Sequence, residues 1–104
     1  MPYIRKSERE KFQPILDSYK ELLESGHITV GELNYLITRL IDITIYDSVV
    51  MEPDGRMTYK ILNSIMGVLE CVKLELYRRV IVPFECSKQE INGDVFVTDV
   101  RNKD

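Results

Sequence analysis

Residues Met57 to Pro83 read MTYKILNSIMGVLECVKLELYRRVIVP, and the reading of this stretch decides the fold. Ile61, Ile65, Leu69, Val72 and Leu76 recur at helical spacing, flanked by Leu62, Met66, Val68 and Leu74. The apolar share exceeds half the circumference, as in a helix that touches neighbours on several sides. The pattern predicts one long central helix from about Thr58 to about Val82, roughly 35 Å long. It should stop before Pro83, because proline disfavours helical geometry in the residue ahead of it. Gly67 inside it costs about 1 kcal/mol against alanine, which suggests close approach of another backbone.

Two further helices are legible upstream. Ser7 followed by Glu10 has capping-box spacing, and Phe12, Ile15, Leu16, Tyr19, Leu22 and Leu23 continue at helical spacing. Pro14 either kinks this helix or starts it as the first helical residue. Gly26 marks its end. Thr29 and Glu32 repeat the capping-box pattern ahead of Leu33, Leu36, Ile37, Leu40, Ile41 and Thr44, with Glu32, Arg39 and Asp42 on the outer face. The β-branched tail IDITIYDSVV is weak as a helix, so this helix should fade near Ile45 or Tyr46. EPDGRM, from Glu52 to Met57, is a turn. The flanking residues allow a short β-hairpin, Ser48–Met51 pairing with Arg56–Tyr59. Beyond Pro83 a second turn is expected at Asn92–Gly93–Asp94, then a short extended piece carrying Val95, Val97 and Val100.

The expected fold is therefore mainly α: a three-helix antiparallel hairpin or bundle around a long third helix. It forms one domain over residues 1–104, with an N-terminal arm over 1–6 and a C-terminal extension over 83–104 that folds back. At 104 residues the chain has room for one core with a thin margin, and the third helix carries more apolar surface than such a core needs. A dimer or higher homo-oligomer is expected.

Composition narrows the function. The net charge of -3 gives no global basic field, so non-specific nucleic-acid binding is disfavoured. No apolar run approaches membrane-spanning length, and MPYIRKSEREKF lacks the apolar core of a signal peptide. The expected location is the cytoplasm, or the host cytoplasm if the gene is phage-borne. Cys71 and Cys86 form no CxxC pair, which points away from zinc and from any need for an oxidising compartment.

Polar residues on the long helix pose the main question. Glu70 and Lys73 are three apart, and Glu75 and Arg79 four apart, so each pair shares a helical face. One account is a solvated stripe of surface ion pairs. The other is a groove in which Glu70, Lys73, Tyr77 and Arg78 meet a ligand, with Arg78 and Arg79 offering planar forks for phosphate or carboxylate. Asn34 beside an apolar stripe is either a structural hydrogen-bonding residue or a ligand contact. His27 is the single histidine and has no metal-binding neighbour in sequence. Ser48 and Ser64 lack a visible base. Glu21 and Glu24 in ELLE match half of the ExxE…ExxD magnesium pattern of small helical nucleotide pyrophosphohydrolases, and no second half follows. No catalytic residue, metal or cofactor is expected.

Taken together, MPYI, GELNYLITRLI, GVLECVKLELYRRVIVPFE and NGDV, in this order, resemble a family of small phage and bacterial proteins known as a domain of unknown function. The resemblance covers most of the chain. It implies a stand-alone protein of this size and brings no activity or catalytic residue. Against the family pattern, Ser64 stands where a glutamate is expected, and DSVVMEPDGRMTY and the tail past NGDV are longer.

Three functions follow as expectations. The first is a non-enzymatic interaction protein acting as a homo-oligomer on a host or phage partner. The second is a sequestering protein for a nucleotide-type ligand, with Lys73, Arg78 and Arg79 on phosphates and Tyr77 stacked on a base. The third is a magnesium-dependent nucleotide hydrolase.

Overall fold

The computed structural model describes residues 2–98. The fold is mainly helical, with five α-helices among these residues: α1 (Lys6–Arg9), α2 (Gln13–Ser25), α3 (Val30–Val50), α4 (Tyr59–Leu76) and α5 (Val82–Asn92). A 3-10 turn over Glu10–Phe12 joins α1 to α2, and a π-helical turn over Tyr77–Ile81 joins α4 to α5. The described residues contain no strand.

Local chemistry explains each boundary. Pro14 enters α2 in its first turn, where its missing donor costs nothing. The carbonyl of Glu10, four residues ahead, cannot receive a proline amide and instead accepts from Gln13 N–H. That shorter bond is the 3-10 turn. The expected Ser7–Glu10 box does not form, because the helix begins earlier: Glu8 N–H donates to the Arg5 carbonyl at 2.9 Å, leaving Ser7 inside α1. At α3 the box is complete. Glu32 N–H donates to Thr29 Oγ1 at 3.1 Å, and Thr29 N–H donates to Glu32 Oε1 at 2.9 Å.

α3 runs to Val50, past the expected fade at Ile45 or Tyr46. Thr44 and Ser48 each donate their hydroxyl to the carbonyl one turn back, at 2.8 and 3.0 Å, so polar β-branched and small residues are satisfied within the helix. This extension takes up Ser48–Val50, and Tyr59 opens α4, so the Ser48–Met51/Arg56–Tyr59 hairpin is replaced by helix on both sides of the turn. The turn itself is as expected. Gly55 N–H donates to the Glu52 carbonyl at 3.0 Å with Gly55 at φ 67°, a backbone conformation that favours glycine. Thr58 then caps α4, accepting from Ile61 N–H at 3.2 Å.

The largest departure is at Pro83. The helix does not stop there; it continues as α5 to Asn92. A proline inside a helix leaves the carbonyl four residues back without a donor and clashes with it. Here the turn ahead widens: Val82 N–H donates to the Tyr77 carbonyl, five residues back. Proline then sits in the first turn of a new α-helical segment. α5 closes with Gly93 N–H on the Gln89 carbonyl at 2.8 Å and Gly93 at φ 88°. Val95 and Val97 follow without strand pairing, and Val100 lies outside the described residues.

The chain divides into two compact units, one up to Leu69 and one from Glu70 on. In the first, burial concentrates at Ile61, with half-buried Ile65, Ile41, Ile45 and Val49 at four-residue spacings on α4 and α3. Ile61 is 7% exposed and is the one buried side chain among the described residues. In the second unit the described apolar side chains are all exposed; its half-buried residues are Glu75 and Gln89. The central stripe is thus covered at Ile61 and Ile65 and open at Leu69, Val72 and Leu76. No helix of the described residues is long and apolar enough to cross a membrane.

Candidate functional site

The polar stretch on α4 resolves into ion pairs along the helix. Lys73 Nζ lies 3.5 Å from Glu70 Oε1, both well exposed. Arg78 takes Glu75 in a bidentate pair, Nε to Oε1 at 3.2 Å and Nη2 to Oε2 at 3.0 Å. The glutamate thus pairs three residues on, with Arg78, where the spacing suggested Arg79 four residues on. The planar fork matches both carboxylate oxygens at once, which a single-nitrogen contact does not. Arg78 and Arg79 both lie in the π-helical turn. Tyr77, which opens that turn, lines an open depression of about 620 Å3 within the second unit, with Ile81, Val82, Glu85, Gln89 and Phe96. Asp94 Oδ1 accepts from Phe96 N–H at 2.9 Å and shapes the segment after α5.

Asn34 belongs to the first unit. Its carbonyl and its Oδ1 both accept from the Thr38 hydroxyl, at 2.8 and 3.3 Å. It lies on a shallow surface with Val30, Gly31, Tyr35 and Thr38. Gly67 has open space where a Cβ would stand, so among the described residues no backbone makes the close approach its presence suggested. Among the described residues no group of three or more His, Cys, Asp or Glu could hold a metal ion, so Glu21 and Glu24 do not gain partners of that kind. Cys71 and Cys86 are both exposed thiols.

A third concave feature is apolar. An open groove of about 470 Å3 runs between α2 and α3, with Ile15, Leu16, Leu22, Leu33, Ile37 and Leu40 along its walls. Leu36, Tyr19 and Ser18 complete it, and no charged side chain takes part. Sequence periodicity identified these positions as core. The structure keeps their common face and leaves it open: Leu16 and Leu40 are each 51% exposed. Such a surface can hold an apolar partner by area; it offers no charge to orient a phosphate or carboxylate.

No curated protein and no solved structure matches the chain. A family match extends over residues 1–95, taking in the α2–α3 groove, all of α4 and the π-helical turn. The chain belongs to the family described as Domain of unknown function (DUF6899).

Proposed function

We propose that this chain is a non-enzymatic interaction protein of the cytoplasm that acts as a homo-oligomer. One observation carries the reading: a 104-residue chain with 44% hydrophobic residues buries a single described side chain on its own. Folding must offset roughly 1–2 kcal/mol of backbone entropy per ordered residue, and apolar burial is the principal term that does so. A helical chain that leaves its stripes open needs that burial from another molecule. The antiparallel helix hairpin belongs to this reading. Residues 26–29 form a short connection between α2 and α3, and short connections favour antiparallel neighbours.

Light scattering on purified protein tests the reading. The expected mass is at least twice the 12.2 kDa of one chain; a mass of one chain in a folded, helical sample overturns it.

Sequestration of a nucleotide-type ligand by Lys73, Arg78, Arg79 and Tyr77 has less behind it. Lys73 and Arg78 already face carboxylates of their own helix, which a phosphate would have to displace.

A further inference from the structure

We infer that Asn92–Gly93 is a self-modification site, at which the Asn92 side chain deamidates through a cyclic imide, and that the last turn of α5 sets the rate. Water is the co-reactant, and the reaction needs no second copy of the chain.

Sequence and position converge on this pair. The reaction needs a backbone amide nitrogen to reach the side-chain carbonyl carbon of the residue before it. A glycine leaves that approach unhindered, because it has no Cβ. Of the described asparagines, Asn92 is the one followed by glycine; Asn34 is followed by Tyr35 and Asn63 by Ser64. Asn34 and Asn63 lie inside α3 and α4, where helix continues on both sides. Asn34 Oδ1 also accepts from the Thr38 hydroxyl at 3.3 Å. Asn92 is exposed and is the last residue of α5.

The helix end acts as a latch. Gly93 N–H donates to the Gln89 carbonyl at 2.8 Å, and while that bond stands the attacking nitrogen is committed to it. α5 buries none of its side chains, and segments with few buried contacts open most readily. One hydrogen bond shifts an opening equilibrium by about 2- to 10-fold. The latch therefore slows the reaction without preventing it.

The chemistry balances with water alone. Once the turn opens, the Gly93 amide loses its proton to solvent base and its nitrogen attacks Asn92 Cγ. The N–Cγ bond forms, the Cγ–Nδ2 bond breaks, and ammonia leaves with a proton taken back from solvent. Water then opens the imide. Cleavage of the N–Cγ bond leaves aspartate; cleavage at the Asn92 main-chain carbonyl leaves isoaspartate, whose main chain runs through the former side chain. Either product adds one negative charge to a chain of net charge -3. The charge falls at the C-terminal end of α5, the negative end of the helix dipole, beside the depression that Glu85 and Asp94 already line. The extra main-chain atom of isoaspartate also disturbs the spacing that sets Gly93 N–H on the Gln89 carbonyl. The modified helix end should fray.

Peptide mapping by mass spectrometry tests this on the full chain, aged for days at neutral and mildly alkaline pH. Asn92 should gain one mass unit ahead of Asn34 and Asn63, with isoaspartate outweighing aspartate. The rate should rise with pH, as amide deprotonation requires, and by about 2- to 10-fold in urea, where the latch is open. Amide exchange at Gly93 should quicken in the aged sample. Asn92→Gln, which keeps the amide on a longer arm, should abolish both the mass gain at this position and the lost protection at Gly93. An Asn92 that stays unmodified, or that changes no sooner than Asn34 and Asn63, overturns the site. A rate at Asn92 no faster in urea overturns the latch.

Discussion

The amide of Val82 donates to the carbonyl of Tyr77, five residues back, and Pro83 follows directly. The widened turn is the local answer to a proline in the middle of a helical run. It absorbs one extra residue, so side chains beyond it are displaced around the axis by about 100° relative to an uninterrupted helix. Substituting Pro83→Ala restores a donor for the Arg79 carbonyl and removes the ring. The π-helical turn should then close to regular α-helix, raising helix stability by about 1–3 kcal/mol. Backbone chemical shifts and amide exchange over Tyr77–Ile81 report the change; unchanged shifts would mean the turn is held by something other than proline.

The cap at α3 gives a second prediction. Thr29→Ala removes the acceptor for Glu32 N–H and keeps the backbone N–H that donates to Glu32 Oε1. The expected loss is about 1 kcal/mol, read by urea denaturation. Ser7→Ala, which touches no capping bond, should change stability by less than about 0.5 kcal/mol.

Much of this was legible in the sequence, and the misreadings share a physical origin. Helix faces came through because periodicity is a local signal: Leu33, Ile37 and Leu40 do share one face, as do Ile61 and Ile65. Capping at Thr29 and the turn at Gly55 were equally visible, since each needs a few specific residues at fixed offsets. Pro83 and the β-branched end of α3 were misread as stops. Propensity is a weak prior, and a helix already formed can carry such residues at a modest local cost, by widening a turn or by bonding a hydroxyl to the carbonyl one turn back. What periodicity does not encode is which molecule covers an apolar face. Leu16 and Leu40 read as core, and within one copy they line an open groove.

Ile61 and Leu16 separate two kinds of apolar position. Ile61→Ala removes the one buried side chain among the described residues and should destabilise by about 2–4 kcal/mol at any protein concentration. Leu16→Ala removes atoms from an open wall, so its cost should appear at concentrations where the oligomer dominates and vanish on dilution if the monomer retains structure. Denaturation at two concentrations a hundredfold apart distinguishes them.

The charged face of α4 carries its own test. The pairs Lys73–Glu70 and Arg78–Glu75 are exposed on the cationic side, where ion pairs contribute a few tenths of a kcal/mol. Lys73→Ala and Arg78→Ala should each change stability by less than about 0.5 kcal/mol. A panel of mono-, di- and cyclic nucleotides should leave the melting temperature flat. A nucleotide-dependent rise that both substitutions abolish would favour the sequestering reading instead.

The central claim is that this chain completes its fold with another copy, and dilution tests it most directly. Thermal unfolding followed by circular dichroism from micromolar to nanomolar concentration should show a melting temperature that falls with dilution, because association of folded copies is linked to stability by mass action. A melting temperature independent of concentration, in a sample sedimenting as one 12.2 kDa chain, would contradict it.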